Sequence, residues 1–313
     1  MELVHTSVMI AEVLQLLAPN SGDSLLVDCT VGEGGHAEAF LKQFPHLRII
    51  GLDADKVILE KARERLLPFG DRFRGIESWF DEFFAHYPLN ERPDRIFFDL
   101  GISTFHFERS GRGFSFLRDE ILDMRLRDGR TACELINTAT EKELSDIFFN
   151  WGEERYARRI AHEIVRIRKS SSIRSSKQLA QIIWEAVPPS YRYGRIHPAT
   201  RSFQALRIAV NQEMERLERA LKGAFTVLKV GGRLGVLSFH SLEDRRVKQF
   251  FQEKNKTCIC GPETPICNCR HKQSAVWITR KVVQPTPQEV SLNAASRSAK
   301  FRVIEKIEEE STV

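Results

Sequence analysis

The amino-acid sequence predicts an open α/β fold, a parallel sheet with helices on both faces, interrupted by a mostly helical insert. Three observations carry this prediction. Short apolar runs alternate with helical periodicity through the first hundred residues, which is the pattern of consecutive βαβ units. Three of the apolar runs end in aspartate, at Asp28, Asp53 and Asp99. The strand pattern then stops from about Ser110 to Ser202 and resumes beyond it.

The elements follow in order. A helix through "SVMIAEVLQLL" precedes a strand "SLLVDCT", a helix "GHAEAFLKQF", a strand "LRIIGLDAD" and a helix "KVILEKARERL". Strands near "FRGIES" and "RIFFDLGIS" complete the first half. Within the insert, "SGRGFSF", "RKSSSIRSS" and "VPPSYRYGRIHP" read as loops between helices. From Phe203, the residues Phe203, Leu206, Val210, Met214, Leu217 and Leu221 recur by steps of three and four, the core stripe of one amphipathic helix. It leads through Gly231 and Gly232, suited to a tight stop, to a strand "RLGVLSF". Ser241 followed by Asp244 reads as a capping box that opens a helix "LEDRRVKQFF". Two further strands, "AVWITRKVV" and "KFRVIEKI", finish the sheet. The boundaries this implies are residues 1–109 and 203–313 for a discontinuous α/β domain and 110–202 for the helical insert.

Length and composition fit this organisation. A chain of 313 residues exceeds the usual single-domain size. Its longest apolar run falls short of a bilayer span, and its N-terminus lacks the basic start and cleavage site of a signal peptide. A cytoplasmic protein is expected. A net charge of +5 permits a polyanionic partner without demanding one. Four of the six cysteines, Cys258, Cys260, Cys267 and Cys269, crowd into "CICGPETPICNCR". Paired cysteines in a reducing compartment suggest thiolate ligation of zinc, but these pairs are C-x-C, not the common C-x-x-C. Both a bound metal and a loop of reduced thiols stay open, and no metal is assigned to the functional site. Cys29 and Cys133 read as core residues.

The chemistry begins at "VDCTVGEGGH", where Gly32, Gly34 and Ala37 satisfy the G-x-G-x-x-G/A spacing between a strand and a helix. Glycines admit a ligand close to the backbone, and the helix start offers N–H donors. Asp53, about 20 residues on at the end of the next strand, is placed to accept hydrogen bonds from ribose hydroxyls. An adenosine-bearing cofactor is implied. The acids Asp28 and Glu33 in and beside the loop oppose a pyrophosphate but suit a cofactor bearing a sulfonium cation. A methyl donor is favoured over NAD. In "FFDLGISTFHFERSGRGFSF", Asp99 ends its strand and the turn of Gly101, Ser103 and Thr104 offers carbonyls and hydroxyls to a substrate. An exocyclic amine such as cytosine N4 is a weak nucleophile that gains from such acceptors. Phe105, Phe107, Phe114 and Phe116 are either core residues or a stacking surface for an extruded base.

At this point the segments "DCTVGEGGH", "DLGIS", "GRGFSF", "LDMRL", "HPATRSFQALRIAVN", "GGRLGVLSFHSLEDRRVKQFF" and "SRSAKFRV" can be taken together. Over nearly the whole chain they resemble the bacterial small-subunit ribosomal RNA (cytosine-N4) methyltransferase family, methyltransferase H. The resemblance implies a Rossmann-like class I methyltransferase sheet with an inserted helical domain for substrate recognition, and S-adenosyl-L-methionine as cofactor. It implies the N4 amine of a decoding-centre cytidine in 16S ribosomal RNA as target, within the assembled small ribosomal subunit. Carried over, the cofactor contacts are Gly34, Gly35, His36, Asp53, Phe80, Asp99 and His106. Family members often read "DLGVSSPQLD" where this chain has "DLGISTFHFE", so His106 stands in place of a glutamine and Phe105 of a proline. "DEILDMRL" likewise departs from the usual D-G-P-L-D-M-R-M.

Catalytic roles are expected of Ser103 and His240. His240, in "SFHS", either contacts the target and helps carry off a proton or only bonds a loop. In the insert, Tyr156, Ile160, Ile164 and Ile167 share the apolar side of one helix, with Arg155, Arg159, Arg166 and Lys169 toward the other. Arg174, Lys177, Arg192, Arg195 and Arg201 follow, with Tyr191 and Tyr193 interleaved. Such a surface suits phosphates and bases, or is merely a solvated face. A homodimer is compatible with the sequence, which does not show one. The rival functions are a non-catalytic RNA-binding assembly factor and an NAD-dependent oxidoreductase.

Overall fold

A computed structural model describes residues 7–88, 90–261, 263–264, 266–267, 269 and 271–309. They form two compact units, Met1–Ile102 with Glu215–Val313, and Ser103–Met214.

The first unit is built on seven strands: β1 (Leu25–Asp28), β2 (Arg48–Asp53), β3 (Phe73–Glu77), β4 (Arg95–Asp99), β5 (Arg233–Ser238), β6 (Ala275–Trp277) and β7 (Lys300–Lys306). Their order is β3-β2-β1-β4-β5-β7-β6. The first five pair in parallel, and β7 runs antiparallel to both β5 and β6. The sheet is therefore mixed. Among the described residues, four α-helices precede β4: α1 (Ile10–Leu16), α2 (Gly35–Gln43), α3 (Lys56–Leu66) and α4 (Phe80–Ala85). α4, with its six residues, is too short for its apolar period to stand out in the sequence.

Strand alternation sends neighbouring side chains to opposite faces. Leu26 and Phe97 join one core with Val13, Phe40, Leu59 and Leu66 of α1, α2 and α3. Val27, Ile96 and Phe98 join the other with Phe84 of α4 and residues of two later helices. Both faces are covered, so strands such as "RIFFD" read as continuous apolar runs rather than alternating ones.

The second unit contains α5 (Thr104–Glu108), α6 (Ala132–Thr138), α7 (Glu141–Gly152), α8 (Ala157–Arg168), α9 (Ser176–Ala186), α10 (Pro189–Arg192) and α11 (Ala199–Asn211). Among its described residues only an isolated bridge, Ile121 to Ser175, has β character. Reciprocal capping boxes open α6 (Thr131 with Glu134) and α7 (Thr140 with Glu143), each satisfying two otherwise orphaned donors. The unit begins at 103 and ends at 214, where the sequence suggested 110 and 202. α11 is the reason for the later end, since Gly152 of α7 sits so close to the Arg201 carbonyl, 2.7 Å from where a Cβ would stand, that α11 packs as part of the helical unit.

Two further expectations are corrected. The single helix from Phe203 to Leu221 is two, because Gln212 turns left-handed (φ 51°) and α12 (Glu213–Val227) starts afresh. The apolar stripe runs on across the break, which hides it. The capping box of α13 (Ser241–Asn255) is made by His240 and Glu243, not Ser241 and Asp244; Asp244 instead pairs with Arg302 at 2.7 Å. Beyond α13, β6 stops at Trp277, where the Thr279 hydroxyl takes over the Val303 N–H at 2.9 Å. α14 (Pro287–Leu292) precedes β7.

Candidate functional site

In an open α/β sheet, ligands bind beyond the carboxyl ends of the strands where the order reverses. Here that point lies between β1 and β4, since the chain goes from β1 outward to β2 and β3 and then returns to the other side of β1. Asp28, Asp53 and Asp99 each occupy the last position of their strand at this edge.

The glycine loop is tied to all three strands. Asp28 Oδ1 accepts the Thr30 N–H at 3.2 Å, and the Thr30 hydroxyl accepts the Asp99 N–H at 2.7 Å. Asp53 accepts from Gly32 N–H at 3.1 Å and from Asp55 N–H at 2.8 Å. Both Asp53 oxygens are thus oriented by main chain, which fixes the plane of the carboxylate. Gly34 has φ 81°, and a Cβ there would stand 3.1 Å from Leu66. The left-handed backbone and close packing on α3 leave glycine as the residue that fits. Gly35 then begins α2, whose first turn directs N–H groups toward the loop.

The electrostatics are those of a site short of a cation. Burial pushes the Asp28 carboxyl up to about 7 against the Thr30 N–H, and nearby Asp53 adds to the rise. Burial first and Asp28 second push Asp99 up to about 8, opposed by the Gly101 N–H, with Glu243 adding further. Carboxylates crowded in this way favour protonation or a positive ligand between them. A cofactor carrying a sulfonium and an ammonium group matches that need, and a pyrophosphate does not. Glu33, read from sequence as part of this acidity, pairs instead with Lys61 at 3.4 Å. The negative field comes from Asp28, Asp53 and Asp99.

His36 is 6% exposed, with Nε2 2.9 Å from the Val8 carbonyl and Nδ1 3.5 Å from Asp99. The carbonyl can only accept, so Nε2 carries a proton, and Nδ1 faces the Asp99 carboxyl. His36 thereby ties the N-terminal segment to the strand edge. Phe80 opens α4 beyond β3, its ring edge-on to Phe98 at 5.6 Å and to Trp79 at 6.4 Å. Gly34, Gly35, His36, Asp53, Phe80 and Asp99 are thus all placed in the first unit along the carboxyl edge of its sheet.

His240 follows β5 at the same edge. Its Nδ1 accepts the Glu243 N–H at 3.4 Å and its Nε2 lies 3.0 Å from Glu243 Oε1, while Glu243 Oε2 accepts the Phe239 and His240 N–H groups. Glu243 is 2% exposed. Its part, like that of Thr30, was not legible, because histidine is an uncommon N-cap and a threonine after a strand has many uses. The Val8 carbonyl gave no sequence signal.

Ser103 and His106 belong to the second unit. Ser103 caps α5, accepting the Phe105 N–H at 3.2 Å. His106 is 3% exposed, its ring 5.3 Å from Phe114. Phe114 is buried, Phe107 exposed, and Phe116 stacks on His197 at 4.6 Å. On α8, Ile160 and Ile164 are buried while Arg159 and Arg166 are exposed, as is Lys169 at its C-cap. Arg155 lies 4.8 Å over both the Tyr156 and Tyr191 rings. Tyr191 donates its hydroxyl to buried Glu154 at 2.8 Å, and Arg192 and Arg201 bond main-chain carbonyls of Val187, Glu185 and Glu153. These three hold the unit together, whereas Arg174, Lys177, Arg195 and Tyr193 face solvent. No described helix is long and apolar enough to cross a membrane.

Comparison with known proteins agrees over the whole length. A protein named ribosomal RNA small subunit methyltransferase H from Treponema denticola is 52% identical, covering 98% of this chain and 99% of its own. Proteins of the same name from Treponema pallidum and Syntrophotalea carbinolica are 41% and 44% identical, each over 97% of this chain and 93% and 98% of their own. Among solved structures, an rRNA methylase from Streptococcus thermophilus aligns over 96% of this chain and 94% of its own at a TM-score of 0.41 and 11% identity, below the level at which a role carries over. Residues 2–307 match the MraW methylase family, and the chain belongs to that family.

Proposed function

We propose that the chain transfers a methyl group from S-adenosylmethionine to the N4 amine of a decoding-centre cytidine in 16S ribosomal RNA, in the cytoplasm and on the small ribosomal subunit. One observation carries the cofactor: a glycine loop clamped by Asp53 at a strand-order reversal, beside the crowded pair Asp28 and Asp99. The relatives' name supports the small-subunit RNA as target.

When bound, S-adenosylmethionine supplies an electrophilic methyl on a sulfonium that leaves as a neutral thioether. Asp53 would accept the ribose hydroxyls, Gly34 and Gly35 would let the backbone approach, and Phe80 would lie against the adenine. Asp99, held by the Gly101 N–H and facing His36, would meet the amino-acid end. The crowded Asp28 and Asp99 carboxylates favour the cationic form of the cofactor over its neutral product, which helps release after transfer. His106 and Ser103 keep the roles of cofactor contact and of acceptor toward the target amine. His240 keeps that of a group touching the target, oriented through Glu243. Acceptors that take the amine N–H hydrogens align its delocalised lone pair, so catalysis is by positioning and electrostatics. The exposed Arg159, Lys169, Arg174 and Lys177 of the helical unit would meet RNA phosphates.

The test is direct. Small subunits lacking the modification are incubated with the protein and labelled S-adenosylmethionine, and the RNA is digested to nucleosides. Label in N4-methylcytidine supports the reading. Binding to the subunit with no transfer would favour the assembly-factor alternative.

A further inference from the structure

Between α13 and β6, from Lys256 to Ser274, the described residues form a long connection with no helix or strand. Loops of this length usually have something that orders them. Hydrophobic burial does not do so here, since Ile259 is 50% and Ile266 80% exposed. Its two ends are fixed: His271 Nε2 bonds the Glu253 carbonyl at 3.0 Å, and the Ser274 N–H bonds the Lys254 carbonyl at 2.9 Å. Between those ends the four cysteines converge. The sulfurs of Cys258, Cys260, Cys267 and Cys269 all lie within 4.8 Å of one another.

The separations discriminate between explanations. Cys267 and Cys269 sulfurs are 3.6 Å apart, Cys258 and Cys269 3.8 Å, and Cys260 and Cys267 4.0 Å. A disulfide would bring two sulfurs to about 2.05 Å. Four thiolates around one zinc at about 2.3 Å form a tetrahedron with edges of about 3.8 Å. The observed distances straddle that edge. The C-x-C spacing, which left the sequence reading open, is no obstacle to the convergence: the first pair turns on itself, with the Cys260 N–H on the Cys258 sulfur at 3.3 Å. Cys269 sulfur likewise accepts main-chain N–H groups of Ile259 and His271. Amides aimed at sulfur are the outer-shell support that thiolate ligands receive in metal sites.

We infer that Cys258, Cys260, Cys267 and Cys269 bind one zinc ion as a closed, four-thiolate structural site that orders the α13–β6 loop. With four protein ligands the ion has no open position, so the site takes no part in methyl transfer. Soft sulfur ligands in a tetrahedral set select zinc over the hard divalent cations.

The full-length protein, purified under reducing conditions without chelator, is analysed for metals by mass spectrometry. About one zinc per chain is expected. The double variant Cys258→Ser/Cys267→Ser should lose nearly all of it, and Cys133→Ser, outside the cluster, should keep it. Should the double variant fail to fold, the wild type still decides the matter: a mercurial reagent should release zinc to a colorimetric chelator in step with modification of about four thiols. A wild type that carries no zinc and takes up none on addition would overturn the site. So would two disulfides on mass mapping, or iron in stoichiometric amount instead of zinc.

Discussion

Asp28 and Asp99 set the sign of a pH dependence. Their folded values, about 7 and about 8, lie above the unfolded 3.8, so between these limits the native protein holds extra protons. By linkage, the contribution of these two groups to stability is full below about pH 4 and is lost as pH rises through their folded values. A cationic ligand reverses this, because it binds the ionised pair. From pH 6 to pH 8 the ionisation of Asp28 alone should raise affinity for S-adenosylmethionine roughly tenfold and that of Asp99 should add to it, while affinity for the neutral S-adenosylhomocysteine should change much less. Calorimetry on both ligands reads the difference; parallel pH profiles would contradict the role given to the pair. Asp53→Ala should weaken S-adenosylmethionine by roughly 10- to 100-fold, the loss of charge-assisted hydrogen bonds to a ribose. The positions of these aspartates were legible because each ends an apolar run. The pairing of Glu33 with Lys61 was not, since it joins residues 28 apart through the fold.

At the scale of elements, helix termini hold two more tests. Lys306 is fully buried in β7, where its ammonium donates to the Phe225, Thr226 and Leu228 carbonyls at 3.1, 3.3 and 3.0 Å. These are the last carbonyls of α12 and its exit, which the helix itself leaves unsatisfied. Lys306→Met should cost about 3 kcal/mol in urea denaturation, because the buried Phe225 and Leu228 carbonyls lose a charged donor and the ion pair with Glu309 is broken. His240 is both the cap of α13 and a proposed contact of the target. Asparagine caps as well as any residue, so His240→Asn should leave the melting temperature within a few degrees while kcat falls; an unchanged kcat would reduce His240 to a cap. The sequence carried the strands and most helices through simple periodicity. It misplaced the α11–α12 break and this cap because Gln212 and His240 are not residues that ordinarily mark such points.

Across the whole molecule, the chain divides its work between a sheet whose edge offers a cofactor site and a helical unit with an exposed basic face. The boundary at 214 fell twelve residues beyond the sequence estimate of 202, since α11 reads as the start of the α/β pattern yet packs with α7. Replacing Arg159, Lys169 and Lys177 together by alanine should weaken subunit binding and lower the slope of log affinity against log salt, by about 0.7 to 0.9 for each phosphate that is no longer neutralised. An unaltered slope would make that face merely solvated. Methyl transfer to cytidine N4 is the claim on which the other roles depend, and nucleoside mass spectrometry of unmethylated small subunits after incubation with labelled S-adenosylmethionine decides it. Label should appear in N4-methylcytidine with the wild-type protein and be lost with Asp53→Ala at limiting cofactor. Label in another nucleoside, or none with the wild-type protein, would contradict it.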